Sequence, residues 1–230
     1  MGMTPSLASR IAAALLATIA VSACATTNPA ATHSSAAPVV PRPTEPAYVA
    51  QARADSIRHP YTAADVEFMT HMIGHHAQAI VMSRWAPRHG ASASVLTLAS
   101  RIINAQQDEI ATMQRWLADR LQPVPDAIPG MKMTMNGMEH VMLMPGMLTD
   151  EQMKQLDAAR GPEFDRLFLT YMIQHHRGAV EMVKDLFGSY GAGQDETVFK
   201  FASDVNVDQT TEIARMEKML VALTLGISAQ

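Results

Sequence analysis

The chain has 230 residues, enough for one domain with a real core and too few for two ordinary domains. Hydrophobic residues make up 48% and charged residues 17% of it, which is typical of a soluble globular protein rather than a disordered one. The net charge is -4 and no Lys/Arg block occurs, so we expect no nucleic-acid partner. What needs explaining is the excess of 18 methionines and 9 histidines.

The first 23 residues have the layout of a signal peptide. Arg10 precedes an apolar run over 11–21, which is too short to span a membrane and ends in small residues. Cys24, the only cysteine, follows directly, as in the lipobox of bacterial lipoproteins. We therefore predict lipidation at Cys24 and export to the periplasmic side of a bacterial membrane, with the outer membrane favoured. The lipid is the only membrane contact that we expect.

The segment that follows, 24–60, is predicted to be a disordered tether. It is rich in Ala, Pro, Thr and Ser, a composition that buries too little apolar surface to order itself. We expect the folded domain to occupy 61–225.

One long segment of this domain occurs twice. Residues 65–82 and 165–182 are identical at nine of 18 positions, whereas unrelated segments share about one. The stretch after each copy also repeats, at an offset of 103 instead of 100. Its matching pairs include Gln106 with Gln209, Glu109 with Glu212, and Met113 with Met216. The domain is therefore a duplication of two consecutive segments.

Each repeated segment is predicted to be a helix. Apolar residues in 65–82 recur at i, i+4, i+5 and i+8, the stripe of an amphipathic helix. Thr62 and Asp65 have the spacing of a capping box, and Pro87 ends this first helix. The other long helices are predicted at 92–121, 161–188 and 195–225. Two helical hairpins of this kind make an all-α protein, a four-helix bundle built from two duplicated halves.

A methionine-rich connection, 122–148, joins the two halves. It holds seven methionines, at 131, 133, 135, 138, 142, 144 and 147, together with His140. No part of the chain shows the alternation of a strand, and the next predicted element is a short helix capped by Thr149 and Gln152. Two roles fit this connection: a flexible arm that captures a metal, or an adaptable lid.

The duplicated histidine pairs are the candidate ligands. At about 100° per residue, Met72 lies between His75 and His76 on the helix surface and within reach of both. If the halves pack about a pseudo-twofold axis, both copies face one interior. The predicted metal ligands are Met72, His75, His76, Met82, Met172, His175, His176 and Met182.

Four imidazoles and four thioethers form a soft, neutral donor set, which suits Cu(I) best. Cu(II), Ag(I) and Zn(II) remain compatible with it, whereas calcium and magnesium require oxygen ligands that are not concentrated here. We predict copper as the bound metal. A protein partner for copper transfer is also compatible with this role, and the oligomeric state is left open.

Ordinary core roles compete with ligation. A single methionine at helical spacing is most often core filling, but an adjacent His pair is costly to bury without partners, and here it is buried twice. Candidates of lower rank are Met69, Met113, Met216 and His140. Gln106, Gln209, Glu109 and Glu212 either orient the imidazoles or belong to a solvated face. His71 has no counterpart, because Tyr171 takes its place.

The pattern Phe-x-x-x-Met-Ile-x-His-His-x-x-Ala-(Ile/Val)-x-Met, followed by Gln-x-x-Glu-Ile-x-x-Met, resembles the bacterial domain of unknown function 305 family over 61–225. The resemblance implies an exported, ferritin-like four-helix bundle, with members linked to copper binding and copper tolerance. It also implies that the eight Met and His positions named above are the ligands. Leu169 departs from the first methionine of the motif in the second half.

The predicted function is an exported copper-binding lipoprotein that sequesters or relays copper, in metal tolerance or homeostasis, rather than an enzyme. A copper-dependent oxidoreductase on the same bundle and a bundle that binds haem non-covalently are the alternatives. Di-iron and zincin chemistry are not supported, because the sequence contains neither Glu-x-x-His nor His-Glu-x-x-His.

Overall fold

Four long helices dominate the structure, a computed structural model that describes residues 46–58, 60–135 and 138–226. The helices are α1 (Ala47–Arg58), α2 (Ala63–Trp85), α3 (Ala93–Asp119), α4 (Asp150–Ala158), α5 (Gly161–Gly188) and α6 (Glu196–Leu225), and the strands are β1 (Met131–Met135) and β2 (Met138–Met142). Within these ranges no helix is long and apolar enough to cross a membrane. The predicted signal peptide and Cys24 lie outside the described residues.

The long helices form two hairpins, as predicted. Helix α2 packs along α3 and α5 packs along α6, while α2 also contacts α5 across the two halves. The predicted all-α four-helix bundle of two duplicated hairpins is thus confirmed, with helix ends within about two residues of those expected, as is usual for helix boundaries.

Local capping explains where the helices begin and end. Thr62 and Asp65 form the predicted capping box at the start of α2. Helix α2 ends at Trp85, and a single 3-10 turn, Ala86–His89, carries Pro87 before α3 begins. Asp195 caps α6 by accepting hydrogen bonds from the backbone N–H groups of the first turn.

A buried aspartate of each repeat ties the two halves together. Asp65 in α2 accepts a hydrogen bond of 2.7 Å from the backbone N–H of Gly193, in the loop before α6. Asp165 in α5 accepts hydrogen bonds of 3.2 Å from the backbone N–H of Ser92, before α3. Each first helix is therefore anchored to the hairpin loop of the other half, which accounts for the identity of this position in both copies.

The predicted tether is wrong in its last part. Helix α1 occupies Ala47–Arg58 and contacts α3, although 24–60 was predicted to be disordered. The proline-rich composition that favours disorder ends at Pro46, and the residues after it are alanine-rich with no proline. Pro46 directly precedes the helix, where its missing N–H costs nothing.

The methionine-rich connection contains strands, which the sequence analysis did not predict. Strands β1 and β2 pair antiparallel, with Met131 opposite Met142 and Met135 opposite Met138. In β1, Met131, Met133 and Met135 alternate with Lys132 and Thr134, so the expectation that no part of the chain alternates is wrong for this segment. The next residues, 143–148, return to the bundle, where Met144, Met147 and Leu148 are buried.

Candidate metal centre

The four histidines of the repeated motif lie together in the middle of the bundle. All four are fully buried, with 0% of each residue exposed. The rings of His75 and His175 meet at the centre, with centroids 3.8 Å apart. His76 and His176 flank them, 6.3 and 6.2 Å from their neighbours in sequence. The structure therefore brings the two predicted His pairs into one layer, and this layer is called the histidine layer below.

At the centre of the histidine layer, each Nε2 atom faces a backbone carbonyl. Nε2 of His75 lies 3.0 Å from the carbonyl oxygen of Pro145, and Nε2 of His175 lies 3.0 Å from that of His75. Because a carbonyl oxygen only accepts hydrogen bonds, Nε2 carries the proton in both rings. In a neutral imidazole the lone pair is then on Nδ1.

At the flanks of the layer, each Nε2 atom faces a carboxylate. Nε2 of His176 donates a hydrogen bond of 2.7 Å to Glu212. Nε2 of His76 lies 2.8 Å from Glu109, although the two atoms do not have hydrogen-bonding geometry. Glu109 and Glu212 occupy matching positions of α3 and α6. Of the two roles considered for them, orienting the imidazoles is therefore the one that the contacts favour.

All four Nδ1 atoms of the histidine layer are buried without a hydrogen-bond partner. A buried polar atom left in this way costs about 1–3 kcal/mol, so four of them in one layer need an explanation. A metal ion would supply the missing partner, because an unprotonated Nδ1 is an ordinary metal ligand. The four Nδ1 atoms are therefore donor atoms of a kind that a soft metal ion binds.

Burial keeps the central imidazoles neutral. Desolvation, reinforced by the nearby His76, lowers the pKa of His75 to about 3. Desolvation and the nearby His75 hold the pKa of His175 well below its ordinary value. Both rings are therefore neutral at physiological pH, and no proton competes with a metal for their Nδ1 atoms.

An acidic patch lies outside the histidine layer, between α3 and α6. Partial burial and the carboxylates of Glu109, Asp204 and Glu212 raise the pKa of Asp208. These carboxylates are therefore close enough to repel one another. Their negative potential favours a cation bound at the adjoining imidazoles.

The methionines of the motif lie in two apolar clusters. The first cluster contains Met69, Met72, Met113 and Met182, and the second contains Met82, Met172 and Met216. Along α2, Met72 precedes the histidines by about one turn and Met82 follows them by about two. Each cluster therefore combines motif methionines from both halves, and the two methionines of one motif are not neighbours.

The segment 143–148 covers the histidine layer from one side. Gln78 holds it by two hydrogen bonds with the backbone of Leu148, of 2.7 and 3.0 Å. Gln174 donates a hydrogen bond of 3.2 Å to the carbonyl oxygen of Gly146. Two roles were predicted for the connection, a flexible arm and a lid. These contacts favour the second role for 143–148, and this segment is called the lid below.

Two glycines of the repeated helices make room for the methionine-rich connection, one at each end of it. A Cβ atom at Gly74 would collide with the carbonyl oxygen of Gly130, and one at Gly178 would collide with that of Pro145. At an offset of 100, Gly74 corresponds to Gln174 and Gly178 corresponds to Gln78. Each pair of matching positions thus supplies one glycine for close approach and one glutamine for a hydrogen bond.

As the side chains stand, the described part of the chain contains no three His, Cys, Asp or Glu residues arranged to hold a metal ion. Coordination therefore requires the thioethers or a small rearrangement of the rings. Among the candidates of lower rank, Met69, Met113 and Met216 are buried in the clusters. His140 lies in β2 opposite Met133, and its side chain is outside what the structure describes.

Several contributors were not predicted from the sequence. The Pro145 carbonyl carries no side-chain signal. Gln78 and Gln174, which hold the lid, differ between the two copies of the repeat. The one available signal was the exchange of Gly and Gln between the two copies.

The duplicated bundle with its buried Met and His side chains defines a helical protein with a candidate soft-metal centre. Residues 65–220 match the model of the family described as domain of unknown function, DUF305. The chain belongs to this family. None of the curated proteins matches it.

Solved structures of the same fold include one protein, CopM, with metal ions bound. A DUF305 protein from Streptomyces coelicolor, predicted to be secreted, is 25% identical with a TM-score of 0.59, covering 73% of this chain and 96% of its own. A DUF305 fragment from Deinococcus radiodurans is 26% identical with a TM-score of 0.57, covering 70% and 97%. CopM in its Cu(II)-bound form is 28% identical with a TM-score of 0.53, covering 68% and 95%. CopM has also been solved in Cu(I)-bound and Ag-bound forms.

Proposed function

We propose that this protein is an exported copper-binding lipoprotein that sequesters or relays Cu(I). The metal is held by Nδ1 atoms of His75, His76, His175 and His176, with sulfur atoms of the motif methionines. The observation that carries this proposal is the set of four buried Nδ1 atoms without hydrogen-bond partners.

The protonation of the rings supports this choice of ligand atom. Hydrogen bonds to two carbonyl oxygens and to the Glu212 carboxylate keep the protons of His75, His175 and His176 on Nε2, which leaves the lone pairs on Nδ1. Glu109 lies 2.8 Å from Nε2 of His76 and favours a proton there by its charge. Neutral imidazole and thioether donors favour a soft ion such as Cu(I) over a hard one.

The charge balance favours two monovalent ions. A cation in a buried site needs a negative partner, because an uncompensated buried charge is costly. Glu109 and Glu212 supply one carboxylate to each half, in contact with His76 and His176. The two apolar clusters likewise each hold motif methionines from both halves. We therefore expect two Cu(I) per chain, one on each side of the histidine layer.

The relatives support the proposal in two respects. CopM, which shares the fold, has been solved with Cu(I), Cu(II) and Ag bound. The Streptomyces coelicolor relative is predicted to be secreted, which agrees with the predicted signal peptide of this chain. Attachment of a lipid at Cys24, and delivery to the outer membrane, are part of the proposal and follow from the lipobox pattern alone.

Titration with Ag(I), which has the same softness as Cu(I) without its redox chemistry, tests the centre. We expect the wild-type protein to bind two equivalents tightly. The double variant His76→Gln/His176→Gln keeps a hydrogen-bond donor toward each glutamate but has no imidazole nitrogen, so tight binding should be lost.

The matched control is His89→Gln. His89 is also buried, but both of its ring nitrogens have partners, at Trp85 and Asp157, so it has no free atom for a metal. This variant should bind Ag(I) like the wild type. Equal binding by the His76/His176 variant and the wild type would contradict the assignment of these histidines.

A further inference from the structure

A cavity of about 300 Å³ lies between the N-terminal half of α2, the C-terminal half of α5 and the lid. Each helix lines it with one face, at positions i, i+3, i+4 and i+7. These residues are Ala64, Glu67, Phe68 and His71 from α2, and Met182, Asp185, Leu186 and the C-cap residue Ser189 from α5. Met144 and Pro145 of the lid complete the wall.

The lining of the cavity combines soft donors with carboxylates. His71, Met144 and Met182 supply an imidazole and two thioethers from three different elements. Glu67 and Asp185 are exposed at the edge of the cavity, where they make the opening negative. A soft monovalent cation is the ligand that such donors and such a charge would recognise.

The duplication shows that this cavity is particular to one end of the bundle. At an offset of 100, the polar residues Glu67 and His71 correspond to Leu167 and Tyr171, while Asp185 corresponds to Trp85. Ala64 corresponds to Phe164, which is fully buried at the other end.

At that other end, aromatic packing fills the equivalent space. Phe164 packs against Phe168 and His89, with ring centroids 5.8 and 5.0 Å apart, and His89 stacks on Trp85. Four lining positions of the open end carry a smaller or polar residue where the filled end carries a large apolar or aromatic one: Ala64, Glu67, His71 and Asp185. The open end therefore has the composition of a binding site.

The cavity adjoins the buried centre through two of its own wall residues. Pro145 accepts the hydrogen bond from Nε2 of His75, 3.0 Å away. Met182 is 8% exposed, whereas the other seven predicted ligands are completely buried. Met182 is thus both a wall residue of the cavity and a member of the apolar cluster that contains Met72.

We propose that this cavity is the access site of the metal centre. A Cu(I) ion binds first to His71 and Met144, and Met182 passes it to the buried imidazoles. The proposal rests on the proposed function, because it assumes that the histidine layer receives the ion. It adds His71 and Met144, which are not among the predicted ligands of the centre.

Stopped-flow mixing of the full chain with Ag(I) tests the access site, with tryptophan fluorescence as the signal. Trp116 lies in the same apolar cluster as Met72 and Met182, so its emission reports the arrival of the ion. In the double variant His71→Tyr/Met144→Leu, we expect loading to slow at least tenfold, with the number of ions bound at equilibrium unchanged. The tyrosine is the residue that the other half carries at this position.

The matched control is Tyr171→Phe at the filled end of the bundle, which should load at the wild-type rate. In the wild type, the methyl NMR signal of Met144 should shift at less than one equivalent of Ag(I). Wild-type loading rates in the double variant, with no shift of the Met144 signal, would overturn the access site. If the wild type bound no Ag(I) at all, the proposed function itself would fail, which is a different result.

Discussion

The histidine layer makes the stability of the metal-free protein depend on pH. Burial lowers the pKa of His75 to about 3, whereas an unfolded histidine titrates near 6.5. When folding lowers the pKa of a basic group, the free energy of unfolding has its full value at pH values above the pKa of the unfolded state. This free energy decreases as the pH falls from 6.5 toward 3, because only the unfolded chain takes up the proton.

The size of the effect follows from the width of this window. Each pH unit inside it costs about 1.4 kcal/mol per histidine, so acidification from pH 7 to pH 5 removes about 2 kcal/mol at His75 alone. His175 adds a loss of the same sign, because burial and the nearby His75 also lower its pKa. With a urea m-value of about 2 kcal/mol/M, the unfolding midpoint should fall by at least about 1 M.

Urea unfolding followed by circular dichroism, at pH 7 and pH 5 with a chelator present, measures this loss. The control is the double variant His75→Leu/His175→Leu, which removes the two buried bases and their unpartnered Nδ1 atoms. Its midpoint should change much less with pH, because its remaining groups also titrate in the wild type and cancel in the comparison. An equal fall in both proteins, or no fall in the wild type, would refute the reasoning.

Three further results are expected. The variant Gly178→Ala should displace the lid, because the added Cβ atom would collide with the Pro145 carbonyl oxygen, and its melting temperature should therefore fall. The control variant Gly188→Ala should keep the wild-type melting temperature, because the space around Gly188 is open. A melting temperature that is unchanged by Gly178→Ala would contradict the close approach of the lid. Glu212→Gln, next to His176, should weaken Ag(I) binding about 10–100-fold, measured by competition with a chelator; unchanged affinity would rule out the orienting role. Ag(I) at 100 times its dissociation constant should stabilise the wild type in thermal unfolding by about 2.7 kcal/mol for each of the two sites, and no stabilisation would argue against a native-state site.

Most of the fold could be predicted because it depends on local patterns. The 3.6-residue periodicity, the capping box at Thr62 and the stop at Pro87 each act within one or two turns of a helix. The internal repeat added a comparison that a single sequence normally lacks. Positions that are identical in both copies could be distinguished from positions that differ. Asp65 and Asp165 illustrate this, since their identity reflects a tie between the two halves.

The errors arose where structure depends on distant contacts. The lid is held by Gln78, Gln174 and its close approach to Gly178, and none of these contacts is visible as a periodic pattern. The grouping of the methionines could not be predicted from the sequence either, because it depends on how α2 crosses α5. Met72 and Met182 share a cluster only because the two helices bring opposite ends of the repeat together.

The central claim is that the buried imidazoles bind a soft metal through Nδ1. Long-range proton–nitrogen NMR spectra of the histidine side chains, recorded during an Ag(I) titration, test it most directly. The account predicts that the Nδ1 signals of the histidine layer shift as Ag(I) is added, while their Nε2 signals stay protonated and those of His89 stay in place. Signals of the histidine layer that remained unchanged at saturating Ag(I), or metal-induced shifts at Nε2 instead of Nδ1, would contradict it.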